Sequence, residues 1–315
     1  MNLRAKQRGV ALLTAIILVS LATVLAVSIA FGTAMTARRA ASSFTVEQGV
    51  LFGGLAEEFA AFTLKRAAGN GTRPVIDRPG SDWTSPYPPT EVSEGIVIEA
   101  QLEDESGKFN LNSLLGGKDQ NGQPVDVNSM EIFTRLLEAL QLEPKWGPLI
   151  ADFIDQDGNA QSNGGEDNLY TLQKPAYRAA NGWITSPSEL LSLPGFGRER
   201  YLKLLPFVTA LPPDERKINV CFAGPQLIDA IAGVYTQTTY NEFTQAQATN
   251  AQTFAQQRGA GCFPDKMFFR SLGGSALDPT RKGLLEPRIV EQTEYFRLRT
   301  WVTIGTTRFA LYSLL

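Results

Sequence analysis

Hydrophobic positions fall into three regimes along this chain. From Val10 to Phe31 the sequence is almost wholly apolar, broken only by Thr14, Ser20, Thr23 and Ser28. About 20 apolar residues at roughly 1.5 Å each match a bilayer core of about 30 Å. Beyond Phe31 the run thins to spaced positions: Ala40, Phe44, Val50, Leu51, Leu55, Phe59 and Phe62. These approximate a 3.6-residue period. The pattern predicts one long helix from Val10 to about Arg66, ended by Ala67-Ala68-Gly69-Asn70-Gly71.

The middle regime is mixed. Glu91 to Leu102, with Val92, Ile96, Val97, Ile98 and Leu102, reads as a strand with a polar far face. Asn128 to Leu142 reads as a helix presenting Met130, Ile132, Phe133, Leu136, Leu137 and Leu140 on one face. Trp146 to Ile154 is a second helix, and Pro187 to Leu193 a third, capped by Ser186 with Glu189 three residues on. A further helix, Arg198 to Val208, follows the Pro194-Gly195-Phe196-Gly197 turn. In the last regime Phe296, Leu298, Thr300, Val302 and Ile304 alternate, Gly305-Thr306-Thr307 turns the chain, and Phe309 and Leu311 resume the alternation. A strand, then helices, then strands predicts an α+β fold: a long N-terminal helix on an antiparallel sheet interrupted by a helical insertion.

Charge placement orients the first helix. Arg4, Lys6 and Arg8 precede the apolar run, and no charge follows until Arg38. A basic flank favours a cytoplasmic amino end, although Arg38 and Arg39 weaken the asymmetry. A cleaved secretory signal is the rival reading, but its apolar region normally runs only about 7–15 residues. Composition narrows the chemistry further. The 315 residues contain no histidine and two cysteines, with a net charge of −3. That excludes Ser-His-Asp and Cys-His nucleophile systems and His-ligated zinc or iron. Two cysteines cannot build a Cys₄ metal site. No phosphate loop or GxSxG elbow appears, so the chain reads as a structural and interaction protein and not as an enzyme.

Arg8-Gly9-Val10-Ala11-Leu12-Leu13-Thr14 places a glycine at the end of a short basic leader, immediately before the apolar run. This resembles the type IV prepilin signal. The resemblance implies cleavage between Gly9 and Val10 by a prepilin peptidase, removal of residues 1–9 and N-methylation of Val10. The fifth residue after that cut is usually Glu in the superfamily, and here it is Thr14. An ionised carboxylate inside a membrane helix costs several kcal/mol unless paired. A subunit with no neighbour above it has no need of one. Simple drift to a neutral residue is the plainer alternative.

Several internal stretches, in order, narrow the family. Leu102-Glu103-Asp104-Glu105-Ser106-Gly107-Lys108-Phe109-Asn110-Leu111-Asn112-Ser113-Leu114 is the first, and Ala151-Asp152-Phe153-Ile154-Asp155-Gln156-Asp157 the second. Gly164-Gly165-Glu166-Asp167-Asn168-Leu169-Tyr170, Tyr177-Arg178-Ala179-Ala180-Asn181-Gly182, Ser188-Glu189-Leu190, Leu193-Pro194-Gly195-Phe196 and Lys217-Ile218-Asn219-Val220 follow. Together with the leader they resemble the minor pseudopilin K family of the type II secretion system over most of the chain. Cys221 stands where that family more often has Asn.

The resemblance implies a type IV pilin-like fold with this organisation: leader 1–9, transmembrane half of the helix 10–32, periplasmic helix and first strands 33–112, inserted helical domain 113–270 and closing strands 271–315. It implies a single pass through the bacterial inner membrane and a place at the tip of a periplasmic pseudopilus. There the chain would cap the filament, priming or limiting its assembly for export of folded proteins. Minor pseudopilins I and J, the major pseudopilin and the prepilin peptidase are the implied partners, with contact to the outer-membrane secretin or exported substrate as a further hypothesis. Leu12, Leu13, Thr14, Ile16, Ile17, Val24 and Val27 are the implied helix-packing positions. No nucleic-acid partner is expected.

Two local features bear on chemistry. Asp155, Asp157, Asn159, Gln161, Asn163 and Glu166 occupy positions 1, 3, 5, 7, 9 and 12 of a twelve-residue loop, the ligand spacing of an EF-hand. Ala160 stands where that geometry requires Gly, and a solvated Asn/Gly-rich turn has the same composition. The family resemblance implies calcium here, with Asp155, Asp157, Glu166 and Asp167 the foremost ligands. Cys221 and Cys262 lie about 40 residues apart, and in an oxidising periplasm a disulfide between them would contribute on the order of 4 kcal/mol. Unpaired buried thiols are the alternative. The Thr/Gln/Ala-rich stretch from Thr236 to Gln257 reads as a polar surface helix.

A rival reading of function remains. Leu190-Leu191-Ser192-Leu193-Pro194-Gly195-Phe196-Gly197 resembles the hairpin of helix-hairpin-helix modules, with Arg198, Arg200 and Lys203 nearby. That reading makes the chain a membrane-tethered DNA receptor. A tight turn between packed helices explains the same residues, and an acidic chain is a weak DNA binder.

Overall fold

The computed structural model describes residues 4–67, 76–115, 127–236, 261–272, 283 and 285–315. Helix α1 runs from Arg4 to Ala67 without interruption, and its 64 residues rise about 95 Å. Its end falls where the Ala-Gly-Asn-Gly stretch predicts. Every side chain from Val10 to Phe31 is exposed. Three of the four hydroxyls within that run turn back onto the helix, as do those of Thr33 and Thr36 just beyond it. Thr14 Oγ1 donates to the carbonyls of Val10 (3.2 Å) and Ala11 (3.0 Å), Ser20 to Ile17 (2.9 Å) and Thr23 to Val19 (2.8 Å). A helix that satisfies its own polar groups can sit in hydrocarbon.

The chain divides into two compact units. One takes α1 as far as Phe59, with Pro88–Ala100 and Thr300–Leu311; the other takes Ala60–Tyr87, Gln101–Arg299 and Tyr312–Leu315. Four strands form an antiparallel sheet in the order β1-β2-β7-β8: β1 Tyr87–Ser93, β2 Ile96–Asp104, β7 Phe296–Ile304 and β8 Thr307–Leu314. The single strand expected over Glu91–Leu102 is a hairpin instead. Gly95 adopts φ +72°, a left-handed conformation that turns the chain, and its N–H donates to the Glu91 carboxylate at 3.0 Å. The C-terminal alternation is realised as expected: Leu298, Thr300 and Val302 are buried, and Gly305 makes the turn at φ +58°. Within the first unit, a Cβ on Gly49 or Gly53 would approach Phe309 or Leu311 of β8 to 2.9 and 2.7 Å. The two glycines therefore let α1 lie close on the strand.

Among the described residues, the shorter α-helices lie between β2 and β7. They are α2 Val127–Ala139, α3 Trp146–Ile154, α4 Asp167–Thr171, α5 Gly197–Leu204, α6 Pro225–Thr236 and α7 Lys266–Leu272. α3 matches its predicted span. α2 ends before Leu142 because Gln141 is left-handed (φ 56°) and the Leu142 N–H returns to the Leu137 carbonyl. Pro187–Ser192 is a 3-10 helix and not an α-helix, and it carries the Ser186/Glu189 capping box read from the sequence. The predicted helix Arg198–Val208 stops at Leu204, since Pro206 lies in a 3-10 turn and Val208 joins a strand. Residues 237–257 of the predicted polar helix lie outside the described residues.

Two short parallel ladders stitch distant segments of this region together. β3 (Phe109–Asn110) pairs with β4 (Val208–Thr209), and β5 (Ile218–Asn219) with β6 (Ile289–Val290). The core around them is dense in Phe, Leu and Ile, with Phe133 stacked on Phe109 at 5.2 Å and α2 packed along α6. Buried polar side chains replace missing backbone partners. Asn112 donates to the Ile184 and Leu211 carbonyls (both 2.8 Å), and Asn110 donates to those of Pro212 (2.9 Å) and Glu215 (2.8 Å). At the end of β2, Asp104 accepts from the Gly107 N–H and from Thr293 Oγ1 (2.6 Å), while Thr293 Oγ1 accepts from Asn219 (2.9 Å). Burial pushes the Asp104 carboxyl up to about 7, outweighing those hydrogen bonds, with Glu105 adding to the rise and Lys108 opposing it.

Candidate metal centre

The acidic loop runs from the end of α3 to the start of α4. Apolar spacing buries Ile150, Ala151, Phe153 and Ile154 of α3, and Asp152 is carried into the interior on the same short helix. Asp155 then leaves the helix in an extended conformation. The loop closes where Gly165 and Glu166 return to the buried side before α4.

Asp155, Asp157 and Glu166 converge, each offering an oxygen within 4.8 Å of the others. Ligand oxygens about 2.4 Å from one calcium ion lie at most about 4.8 Å apart, so the three carboxylates fit around one hard cation. Glu166 is only 8% exposed, and its Oε1 is buried without a hydrogen-bond partner. Burial raises its pKa, and so do the neighbouring charges of Asp155, Asp152, Asp157 and Asp167. A buried, unsatisfied carboxylate oxygen among like charges is costly unless a cation meets it. The donor set therefore suits calcium in its chemistry.

The remaining expected ligands are placed differently. Asp167 is not among the converging carboxylates; it accepts the Ala179 N–H at 3.0 Å and pairs with Arg178 at 3.8 Å. Asn159, Gln161 and Asn163 are exposed. The Asn159 backbone N–H donates to Asp157 Oδ1 (2.9 Å), and the Gln161 carbonyl accepts from the Gly164 N–H (2.9 Å). The loop thus departs from the EF-hand path, in keeping with Ala160 at the glycine position. The sequence reading overlooked Asp152, which is fully buried and whose Oδ2 accepts the Gln161 N–H at 2.9 Å. Burial is the main cause of its raised pKa, opposed by the N–H groups of Gln161 and Gly165. Its signal was available: an acid inside an otherwise apolar nine-residue helix.

Cys221 and Cys262 are joined in a disulfide with their Cα atoms 4.6 Å apart. The bridge ties α6, which follows Cys221 closely, to the segment entering α7. The Cys221 N–H is itself held by Asn219 Oδ1 at 3.0 Å.

The helix-hairpin-helix-like turn exists, with Gly195 and Gly197 left-handed at φ +78° and +72°. Its central cation is used internally. Arg200 forms a fork on Glu143, with Nε and Nη2 each 3.0 Å from a carboxylate oxygen, and Nη1 donates to the Gly195 and Phe196 carbonyls. Hydrogen bonds from Arg200 and Trp146 hold Glu143 down at about 2. Lys203 pairs with Glu199 at 3.5 Å. The turn joins the Pro187–Ser192 3-10 helix to α5 and engages Arg200 with Glu143.

Helix α1 is long and apolar enough to cross a membrane and is exposed along that stretch. Residues 107–213 match the family model described as type II secretion system, protein K. The type II secretion system protein K of Pseudomonas aeruginosa is 34% identical over 237 residues, which cover 73% of this chain and 69% of that protein. The protein of the same name from Pectobacterium carotovorum subsp. carotovorum is 29% identical over 318 residues, 99% of this chain and 93% of that protein. Among solved structures, a chain of the GspK-GspI-GspJ complex from the enterotoxigenic Escherichia coli type 2 secretion system matches with a TM-score of 0.69. That match has 23% identity and covers 88% of this chain and 93% of the other. A pilin-like α+β fold with a helical insertion, a membrane-length apolar helix and these relationships lead to one conclusion: the chain belongs to the type II secretion system protein K family of minor pseudopilins.

Proposed function

We propose that this chain is the tip subunit of a periplasmic pseudopilus. Cleavage after Gly9 and methylation of Val10 release an anchor that holds the protein in the inner membrane with its amino end cytoplasmic. The same apolar surface, including Leu12, Leu13, Thr14, Ile16 and Ile17, then packs against the helices of minor pseudopilins I and J. The helical insertion caps the assembly, which primes growth of the major pseudopilin below it. The role is structural, not catalytic. The observation that carries the reading is the exposure of every residue from Val10 to Phe31, an almost wholly apolar surface, while the Phe, Leu and Ile side chains of α2 and α6 are buried. Such a surface needs lipid or neighbouring helices to cover it. Thr14 supports the terminal position, because its hydroxyl is satisfied within its own helix and asks nothing of a further subunit.

The test is co-expression of the full chain with a prepilin peptidase and minor pseudopilins I and J. The expected result is loss of residues 1–9, one added methyl group by intact mass, and co-purification of all three subunits from detergent-solubilised inner membranes. An uncut chain, or a cut chain that purifies without I and J, overturns the reading.

We further propose that the loop of Asp155, Asp157 and Glu166 holds calcium. These carboxylates would supply the charge, and the ion would neutralise their repulsion and fasten the α3–α4 junction. Asp155→Ala is expected to lower Tm in calcium and to change little in chelator; equal melting of variant and parent in calcium refutes the assignment.

A further inference from the structure

The three converging carboxylates come from both ends of a loop, and something must hold those ends in register. Glu166 lies nine residues beyond Asp157, with Gly158, Gly164 and Gly165 between them. Glycine-rich segments lose much conformational entropy on ordering. In the structure the Asp152 side chain, in the last turn of α3, fastens the return half of the loop. Asp152 Oδ2 accepts the Gln161 N–H at 2.9 Å, and the N–H of Gly165 contributes to the same carboxylate. Gly164 passes so close that a Cβ there would overlap Asp152 Oδ2. Its N–H meanwhile donates to the Gln161 carbonyl at 2.9 Å. Asp152 is not among the three residues whose oxygens converge.

We infer that Asp152 is a positioning residue of the cation loop: it fastens Gln161 and seats Gly164, and so brings Glu166 to Asp155 and Asp157. The inference rests on the calcium reading above and adds to it a residue that acts through the loop backbone. It explains why position 164 requires glycine although no left-handed φ is recorded there. The constraint is steric, and the obstacle is the Asp152 carboxylate. Asp152 and Gly164 are therefore coupled.

The coupling supplies the test. Calcium affinity of the full chain in detergent is measured by titration calorimetry after chelation, alongside Tm in chelator. Asp152→Ala and Gly164→Ala should each weaken calcium binding at least about tenfold, the usual scale for losing a group that orients ligands. Asp152→Asn keeps an oxygen that can accept the Gln161 N–H, so its affinity should stay near that of the parent. The double variant Asp152→Ala/Gly164→Ala should bind no more weakly than Asp152→Ala alone, because the methyl group enters space the carboxylate has left. Multiplicative losses in the double variant overturn the steric coupling. A loss in Asp152→Asn as large as in Asp152→Ala makes Asp152 a ligand and overturns the positioning role, as does parental affinity in Asp152→Ala. If the parent itself binds no calcium, the underlying reading fails and the inference with it.

Discussion

The first half of α1 and the helical region between β2 and β7 are both rich in Leu, Ile, Val and Ala, yet they use that surface in opposite ways. In the helical region, Phe133, Leu136, Leu137, Ile150, Ile228 and Ile231 are fully buried against one another. In α1, Leu12, Leu13, Ile16 and Ile17 are more than half exposed. The difference lies in periodicity. α2 confines its larger apolar residues to a stripe, so neighbouring helices can close a core around it. Val10–Phe31 is apolar all round, and a helix of that kind is stable only where its whole circumference is covered. Stability in the one region is therefore intramolecular, and in the other it depends on lipid or neighbouring helices.

Phe133→Ala should expose this contrast most strongly. It removes a ring stacked on Phe109 in the core of the helical region, at an expected cost of about 3–5 kcal/mol by chemical denaturation. Next in size is Cys221→Ser. Opening a cross-link that spans 41 residues should cost about 4 kcal/mol, and reduction of the parent should give a similar loss. A drop below about 1 kcal/mol would mean that the core, and not the bridge, holds α6 and α7 in place.

A smaller and pH-dependent effect is expected at Asp104. Its folded pKa, about 7, lies above the unfolded value, so folding favours the protonated form. The stabilisation is complete below the unfolded pKa and is lost as pH rises through about 7. Denaturation at about pH 5 and pH 8 should show the parent losing on the order of 1–3 kcal/mol relative to Asp104→Asn. An unchanged difference at the two pH values would contradict the assignment. The smallest effect belongs to α1. Ile17→Ala should leave Tm of the folded region unmoved, within about 0.5 kcal/mol, while reducing co-purification with partner subunits. A clear fall in Tm would show that this half of the helix packs within its own chain and would erase the contrast.

Much of this architecture was legible because single-element signals were strong. The apolar run and the Ala-Gly-Asn-Gly stop delimit α1. Ser186 and Glu189 announce the capping box, and alternation from Phe296 to Ile304 announces β7. Misreadings arose where one residue's backbone conformation overrode a hydrophobic pattern. Gly95 splits an apparent strand into a hairpin, Gln141 ends α2, and Pro206 ends α5. Of the acidic cluster, the spacing of acids gave Asp155, Asp157 and Glu166. It did not give Asp167's engagement with Ala179 and Arg178, nor the use of Asp152 as an internal acceptor, because both depend on what lies across the fold.

The primary sequence alone determined the membrane-length helix, the α+β order and the family, each carried by local composition, short-range periodicity or motif order. The bridge between Cys221 and Cys262 was decided by the structure. Tertiary structure decided which polar groups meet. The parallel ladders of β3 with β4 and β5 with β6, the Arg200–Glu143 fork and the Asp152–Gly164 contact all join residues whose closeness follows from packing. Local propensity fixes the conformation of neighbours in sequence. Only burial of a shared core brings distant donors and acceptors within hydrogen-bonding reach.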